Sequence, residues 1–300
     1  MNFNTVLTDY RTYLLAQQKS KHTVNNFLAD VIRCLTQLSS KSLDLITASD
    51  IDHFLVSFST KVDGTAKNAN TMNRTKTAIR SFFGWACNSH LIAVSPAEHL
   101  RLKRVDRLPP VYLTDTEEHQ LLLTVQNHAT DIHAQRDYAI LQLLLNTGIR
   151  VAELTQIDLV DIDGKHLIIR KQKGGNPIRK FLPSVARQVI TEYITGERSK
   201  YESQSQSKAL FLNQQGERMN PRAIQFLTQK WVKLAGIDKP ITPHKLRHTF
   251  ATSLYSKSHD ILVVQKALGH RNITHTQIYA HISDQSLETA MENRVSVFQP

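Results

Sequence analysis

At 300 residues, 41% of them hydrophobic, the chain is long enough for two domains and apolar enough to build a core in each, so intrinsic disorder is not expected. Its 37 Lys and Arg outnumber 26 Asp and Glu for a net charge of +11, with 13 basic and 7 acidic side chains in residues 1–104 and 24 and 19 in the remainder, +6 and +5. A positive balance in both halves suits a polyanion gripped from two sides, the bland alternative being ordinary solubility charge.

Residues 1–100 read as helices throughout. Apolar positions recur at helical spacing over 6–15, 24–38, 51–58 and 72–86, with polar breaks such as the one around Gly64. No alternating strand pattern interrupts them. Cys34 and Cys87 fall inside these stretches and define no disulfide framework, so they read as small buried hydrophobes in a reducing compartment. Residues 101–110, RLKRVDRLPP, are basic, poor in helix signals and closed by two prolines, which marks a linker.

Thr114 to Glu117 has the capping-box pattern that opens a helix. A second helix over 137–146 stops at Gly148, a residue suited to the left-handed C-cap. The period then changes. Asp163-Gly164 is a hairpin turn, 166–170 is β-rich, and Gly174 to Pro177 turns the chain into 178–182, giving a small antiparallel sheet. Helices resume at Ser184 and, apart from a short strand expected at 209–212, continue almost to the end. In the tail, Leu287, Met291 and Val295 recur at fourfold spacing, as on an amphipathic helix that docks on a neighbouring subunit or on its own domain. The fold class expected is mainly α with a small antiparallel β-sheet in the second domain: 1–100 a helical domain, 101–110 a basic linker, 111–300 a second domain with a C-terminal tail. No signal peptide is recognisable, and the longest apolar run, 138–145, is broken by Gln142 and falls short of the ~20 residues that span a bilayer. A soluble cytoplasmic protein with no membrane partner is expected.

Five stretches carry chemistry: TGIRVAEL (147–154), KQKGGNPIRK (171–180), HKLRHTFAT (244–252), LGH (268–270) and TQIYAH (276–281). Taken singly, each has a structural explanation. Arg150 after a glycine turn is a surface helix arginine more often than not, a lone helical tyrosine is usually core, and His244 and His248 lie one helical turn apart, as in zinc helices. The zinc pattern fails, because Lys245 stands where a glutamate is required. In this order and spacing the five stretches resemble the catalytic boxes of the tyrosine recombinase (phage integrase) family, over about 110–295. The helical first half resembles the family's core-binding domain less specifically, and the whole looks like a compact Xer-like or small integrase-like member.

The resemblance implies a two-domain, C-shaped clamp around duplex DNA. It implies cutting and rejoining of strands by transesterification through a 3′-phosphotyrosyl link, without metal, ATP or any other cofactor. Tyr279, nine residues after His270, is the implied nucleophile. Arg150 and Arg247 would clamp the phosphate oxygens, because a guanidinium is always charged and offers a planar fork. His244 and His270 would bond the phosphate and take the phenolic proton. Glu153, three residues after Arg150, lies on the same helical face and can orient its guanidinium. The leaving 5′ oxygen needs a proton, and Lys173 before Gly174-Gly175 is the residue implied, with Lys165 and Lys171 close enough to remain alternatives. The family's hairpin pattern is Gly-Lys-Gly, and here Gln172 replaces the first glycine. Ser258-His259 stands where many relatives carry a glycine. The partners implied are a specific double-stranded DNA site, a tetramer on DNA assembled through the tail, and accessory or partner recombinase proteins. Type IB topoisomerase chemistry and a non-catalytic DNA-binding regulator are the rival functions, the latter leaving the full Arg, Lys, His, Arg, His, Tyr set unexplained.

Overall fold

A computed structural model describes residues 3–105, 110–128, 131, 133–170, 177–201 and 206–269. The chain divides into two compact units, Met1–Arg107 and Leu108–Pro300.

Four helices form the first unit: α1 (Phe3–Ala16), α2 (Lys21–Gln37), α3 (Ala48–Phe58) and α4 (Ala69–Asn88). The last three begin on side chains that satisfy otherwise orphaned N–H groups. Ser20 accepts from the Thr23 amide, Thr47 from Asp50 and Asn68 from Thr71. Asp50 in turn accepts from the Thr47 amide at 2.9 Å, closing a capping box. The apolar faces of the helices meet around Tyr10, Ile51, Phe54, Ile79, Phe82 and Phe83. The Tyr10 and Phe82 rings pack edge to face at 5.2 Å. The Tyr10 hydroxyl donates to Ser81 Oγ at 3.0 Å, so the polar tip of this buried ring is satisfied. Truncating such a ring to alanine costs about 3–5 kcal/mol.

Asp30 is buried on α2, where an unpaired carboxylate would be costly. Arg74 of α4 reaches it with two nitrogens, at 3.0 and 3.2 Å, and Arg33 adds a third contact at 3.1 Å. The pair thereby cross-links α2 to α4. Residues at the start of the basic stretch are fastened to this unit as well. The Asn73 amide donates to Lys103 O at 2.7 Å and accepts from Lys103 N at 2.9 Å, while Lys76 Nζ donates to Arg101 O at 3.1 Å.

The second unit contains α5 (Asp115–Asn127), α6 (Ala134–Thr147), α7 (Val151–Leu154), α8 (Ser184–Thr195), α9 (Pro221–Leu234), α10 (Pro243–Ser258) and α11 (Ile261–Leu268). It also holds one sheet of β1 (Ile162–Asp163), β2 (His166–Ile169) and β3 (Ile178–Phe181). Thr114 and Glu117 form the capping box that opens α5. Helix α6 is buried nearly all round, because α5, α8 and α10 all pack on it. Its one buried acid, Asp137, accepts from Trp231 Nε1 at 2.8 Å and from Arg136 at 2.7 Å. The strands run antiparallel in the order β1-β2-β3, with Leu167 opposite Lys180 and Ile169 opposite Ile178. Mainly helical with a small three-stranded antiparallel sheet is thus the fold class among the described residues.

Two sequence expectations need adjustment. Residues 209–212 are not a strand: Ala209 and Leu212 make only isolated bridges, to Asp158 and Arg218. The run is shared between two partners, Lys208 O and Leu210 N bonding the 157–159 segment and Phe211 O accepting from Met219 N, and Arg198 takes the Ala209 carbonyl at 3.0–3.1 Å. Lys165 sits in the β1–β2 turn, at the opposite end of β2 from residues 171–176, which lie outside the described residues together with Lys171 and Lys173. No helix among the described residues is long and apolar enough to cross a membrane.

Candidate active site

Helix α6 ends where the site begins. Gly148 takes a left-handed φ of +55° and turns the chain sharply out of the helix. Its missing side chain is required twice over, because a Cβ there would lie 2.3 Å from Cδ1 of Phe250 on α10. The turn lifts Arg150 to the surface just before α7. Glu153 then holds it: one carboxylate oxygen accepts from the Arg150 amide at 3.0 Å, the other from Nη1 at 2.9 Å. About half of the Arg150 side chain stays exposed, at 47%.

Helix α10 supplies the second group. Thr242 caps its first turn and Pro243 occupies a position where no N–H is missed. His244 and Arg247, three residues apart, share one face. Arg247 is only 3% exposed. Its Nη1 donates to Gly148 O and its Nη2 to Leu268 O, the latter at 2.9 Å. One guanidinium therefore joins the turn before Arg150 to the end of α11, immediately ahead of His270. His244 is solvent-exposed on one side, and its ring meets that of His248 edge to face at 4.7 Å. Partial burial, then the charges of Arg247 and Arg150, hold His244 below the usual imidazole value. Burial, helped by His244, Arg247 and Lys245, pushes His248 down to about 4.

A third cation, Lys180 on β3, lies in the same place and was missed in the sequence. It is 8% exposed, and its ammonium donates to Thr147 O at 2.9 Å and to Ala267 O. Burial, then Arg247, pushes it down to about 8; Glu153 opposes that shift and Arg150 adds to it. The signal was available: period-two alternation puts Ile178, Lys180 and Leu182 on the inward face, a slot where lysine is rare.

Arg150, Glu153, His244 and Arg247, up to 97 residues apart in sequence, thus converge with Lys180 into one strongly positive patch. Lys173, His270, Tyr279 and the helix expected at 287–295 lie outside the described residues. A fixed, buried guanidinium beside an exposed, carboxylate-steered one is an arrangement able to bind an oxyanion. Neutral histidines at its edge can accept a proton.

The model of the phage integrase family matches residues 112–286, and that of the phage integrase N-terminal SAM-like domain matches 7–90. The chain belongs to the phage integrase family, the tyrosine recombinases, enzymes that recombine DNA at specific sites. Among its relatives it is 31% identical over 275 residues to the tyrosine recombinase XerD of Bifidobacterium longum, covering 88% of each chain. It is likewise 31% identical over 289 residues to XerC of Alcanivorax borkumensis, covering 95% of this chain and 92% of that one. In fold it resembles the XerH site-specific recombinase bound to palindromic difH substrate, with a TM-score of 0.73 at 23% identity over 90% of this chain and 79% of that one. The Tn1549 transposon integrase in complex with circular intermediate DNA gives the same TM-score of 0.73 at 24% identity, over 95% and 98% of the two chains.

Proposed function

We propose that the chain recombines double-stranded DNA by metal- and ATP-independent transesterification, with Tyr279 as nucleophile. The Tyr279 oxygen attacks the scissile phosphorus, a 3′-phosphotyrosyl bond forms, and the bond to the 5′ oxygen breaks. His244 or His270 takes the phenolic proton, and Lys173 gives one to the departing 5′ oxygen. Arg150 and Arg247 stabilise the charge that builds on the non-bridging oxygens. A 5′-hydroxyl from the partner strand then attacks the phosphotyrosine, so the energy of the original bond is conserved through the cycle. The observation that carries this reading is Arg247, whose buried guanidinium fastens the Gly148 turn, two residues before Arg150, to the end of α11, with its charge and that of Arg150 both acting on His244.

Both halves are positive, and both contact duplex DNA in this reading. The partners proposed are a specific DNA site and further copies of the chain, joined into a tetramer through the tail at 287–295. Accessory or partner recombinases complete the set, and the cytoplasm is the compartment. A duplex first selected by binding from a random library, then nicked so that the cleaved end diffuses away, tests the chemistry. With EDTA present and no nucleotide, a covalent adduct stable in denaturing detergent is expected, because fixed cations do the work of metal ions. Loss of the adduct in EDTA, restored by one divalent ion, would contradict the mechanism.

A further inference from the structure

Lys180 raises a physical question that packing does not answer. It occupies a buried, inward position of β3, opposite Leu167. Charged groups face it from two elements, Arg247 from α10 and the Arg150–Glu153 pair at α7, and two of those three charges repel it. From the end of α6 and from α11 it meets only backbone carbonyls, those of Thr147 and Ala267. A buried ammonium beside two guanidiniums is unfavourable in the free protein. The same arrangement becomes favourable once an anion enters, and more so as further negative charge develops on it.

The contacts of Lys180 run parallel to those of Arg247. Arg247 spans Gly148 O and Leu268 O, while Lys180 spans Thr147 O and Ala267 O, each one residue earlier. Two cations from different elements thus tie the same two chain segments at adjacent residues. One segment leads into Arg150, the other into His270. A single bond leaves a hinge between two segments, whereas two bonds at adjacent residues fix their rotation and their register.

We propose that Lys180 is a positioning residue for strand cleavage: its ammonium, bridging Thr147 O and Ala267 O, locks the Arg150 turn against the segment entering His270. This rests on the reading of Arg150, Arg247 and His270 as phosphate-binding groups. Because a displacement of about 1 Å in a reacting constellation costs on the order of 10²-fold in rate, losing the lock slows cleavage without loosening overall grip on DNA.

The test uses the full chain and single-turnover cleavage of the nicked duplex at saturating DNA. Lys180→Met keeps the stem and removes the charge. It is expected to cleave roughly 10–100-fold more slowly while binding the duplex within about threefold of wild type, and Lys180→Arg is expected to recover most of that loss. Wild-type speed in Lys180→Met, or equal impairment of both variants, would overturn the proposal, the second because it would make shape rather than charge the requirement. Should Lys180→Met not fold, the pH profile decides. At subsaturating DNA, wild-type cleavage should decline with a midpoint near pH 8 as the free protein's ammonium loses its proton, and Lys180→Arg should move that decline to higher pH. A profile that Lys180→Arg leaves unmoved would overturn it. Arg150→Ala, run alongside, separates the two layers: if Arg150→Ala cleaves at the wild-type rate, the phosphate-binding reading itself falls and Lys180 with it.

Discussion

Replacing Gly148 by alanine probes the joint between the two arginine-bearing segments. The cost has two parts. A residue with a Cβ at φ +55° pays about 1–2 kcal/mol for the left-handed backbone. The added carbon would also lie 2.3, 2.9 and 3.0 Å from three ring atoms of Phe250, and such overpacking costs about 1–3 kcal/mol. Together these make about 2–5 kcal/mol, a large fraction of the 5–15 kcal/mol typical of a domain. For a unit of this size the melting temperature should fall by roughly 5–15 °C. Gly164→Ala is the matched control, because its φ is +54° and nothing lies within 4 Å of the added carbon. That variant should lose only the backbone part, roughly 3–6 °C. Adding Phe250→Leu to Gly148→Ala should return about 1–2 kcal/mol as a coupling energy, since the two substitutions relieve one clash. Calorimetric unfolding of the full chain, of Gly148→Ala, Gly164→Ala and Phe250→Leu, and of the Gly148→Ala/Phe250→Leu double variant gives all three effects. Equal melting of Gly148→Ala and Gly164→Ala, or no coupling to Phe250, would refute the claim that α6 and α10 approach too closely here for any side chain.

Two further outcomes follow from the site. Lys173→Ala should slow cleavage on the order of 10²–10⁴-fold on normal DNA. On a duplex whose bridging 5′ oxygen is replaced by sulfur it should run near wild type, because a thiolate leaves without a proton; rescue of Lys171→Ala or Lys165→Ala instead would move the general acid, and rescue of none would point to a histidine. The second outcome concerns acid stability. His244 and His248 titrate below their unfolded values, His248 at about 4, so between pH 6.5 and 4 the unfolded chain binds protons that the fold does not. Stability is therefore full above 6.5 and is lost as pH falls through that window. Urea midpoints at pH 7 and pH 5 should differ less in His248→Asn than in wild type, and an unchanged difference would show that His248 contributes nothing to it.

Much of the helical framework was legible because its signals are local. The Thr114–Glu117 capping box and the Gly148 stop lie within a few residues of the ends they define. The approach of Arg150, Glu153, His244 and Arg247 was legible for a different reason: a family resemblance carries long-range geometry that periodicity does not. Lys180 escaped because its role depends on carbonyls 33 and 87 residues away, and a strand lysine reads as solvent-facing unless alternation is followed to its neighbours. The absent strand at 209–212 escaped similarly, its apolar run being right for burial but its backbone bonds divided between the 157–159 and 217–219 segments. His259 shows the opposite case. It takes the left-handed C-cap of α10 itself, with φ +50°, so the turn at Ser258-His259 forms without a glycine, at about 1–2 kcal/mol of backbone strain.

The most direct test is to find which atom carries the DNA. The trapped adduct should be digested with protease and nuclease and the modified peptide sequenced by mass spectrometry. A nucleotide joined through its 3′ phosphate to Tyr279 is the predicted result, with Tyr279→Phe binding the duplex normally and giving no adduct. A nucleotide on any other residue, attachment through a 5′ phosphate, or an adduct that persists in Tyr279→Phe would contradict it.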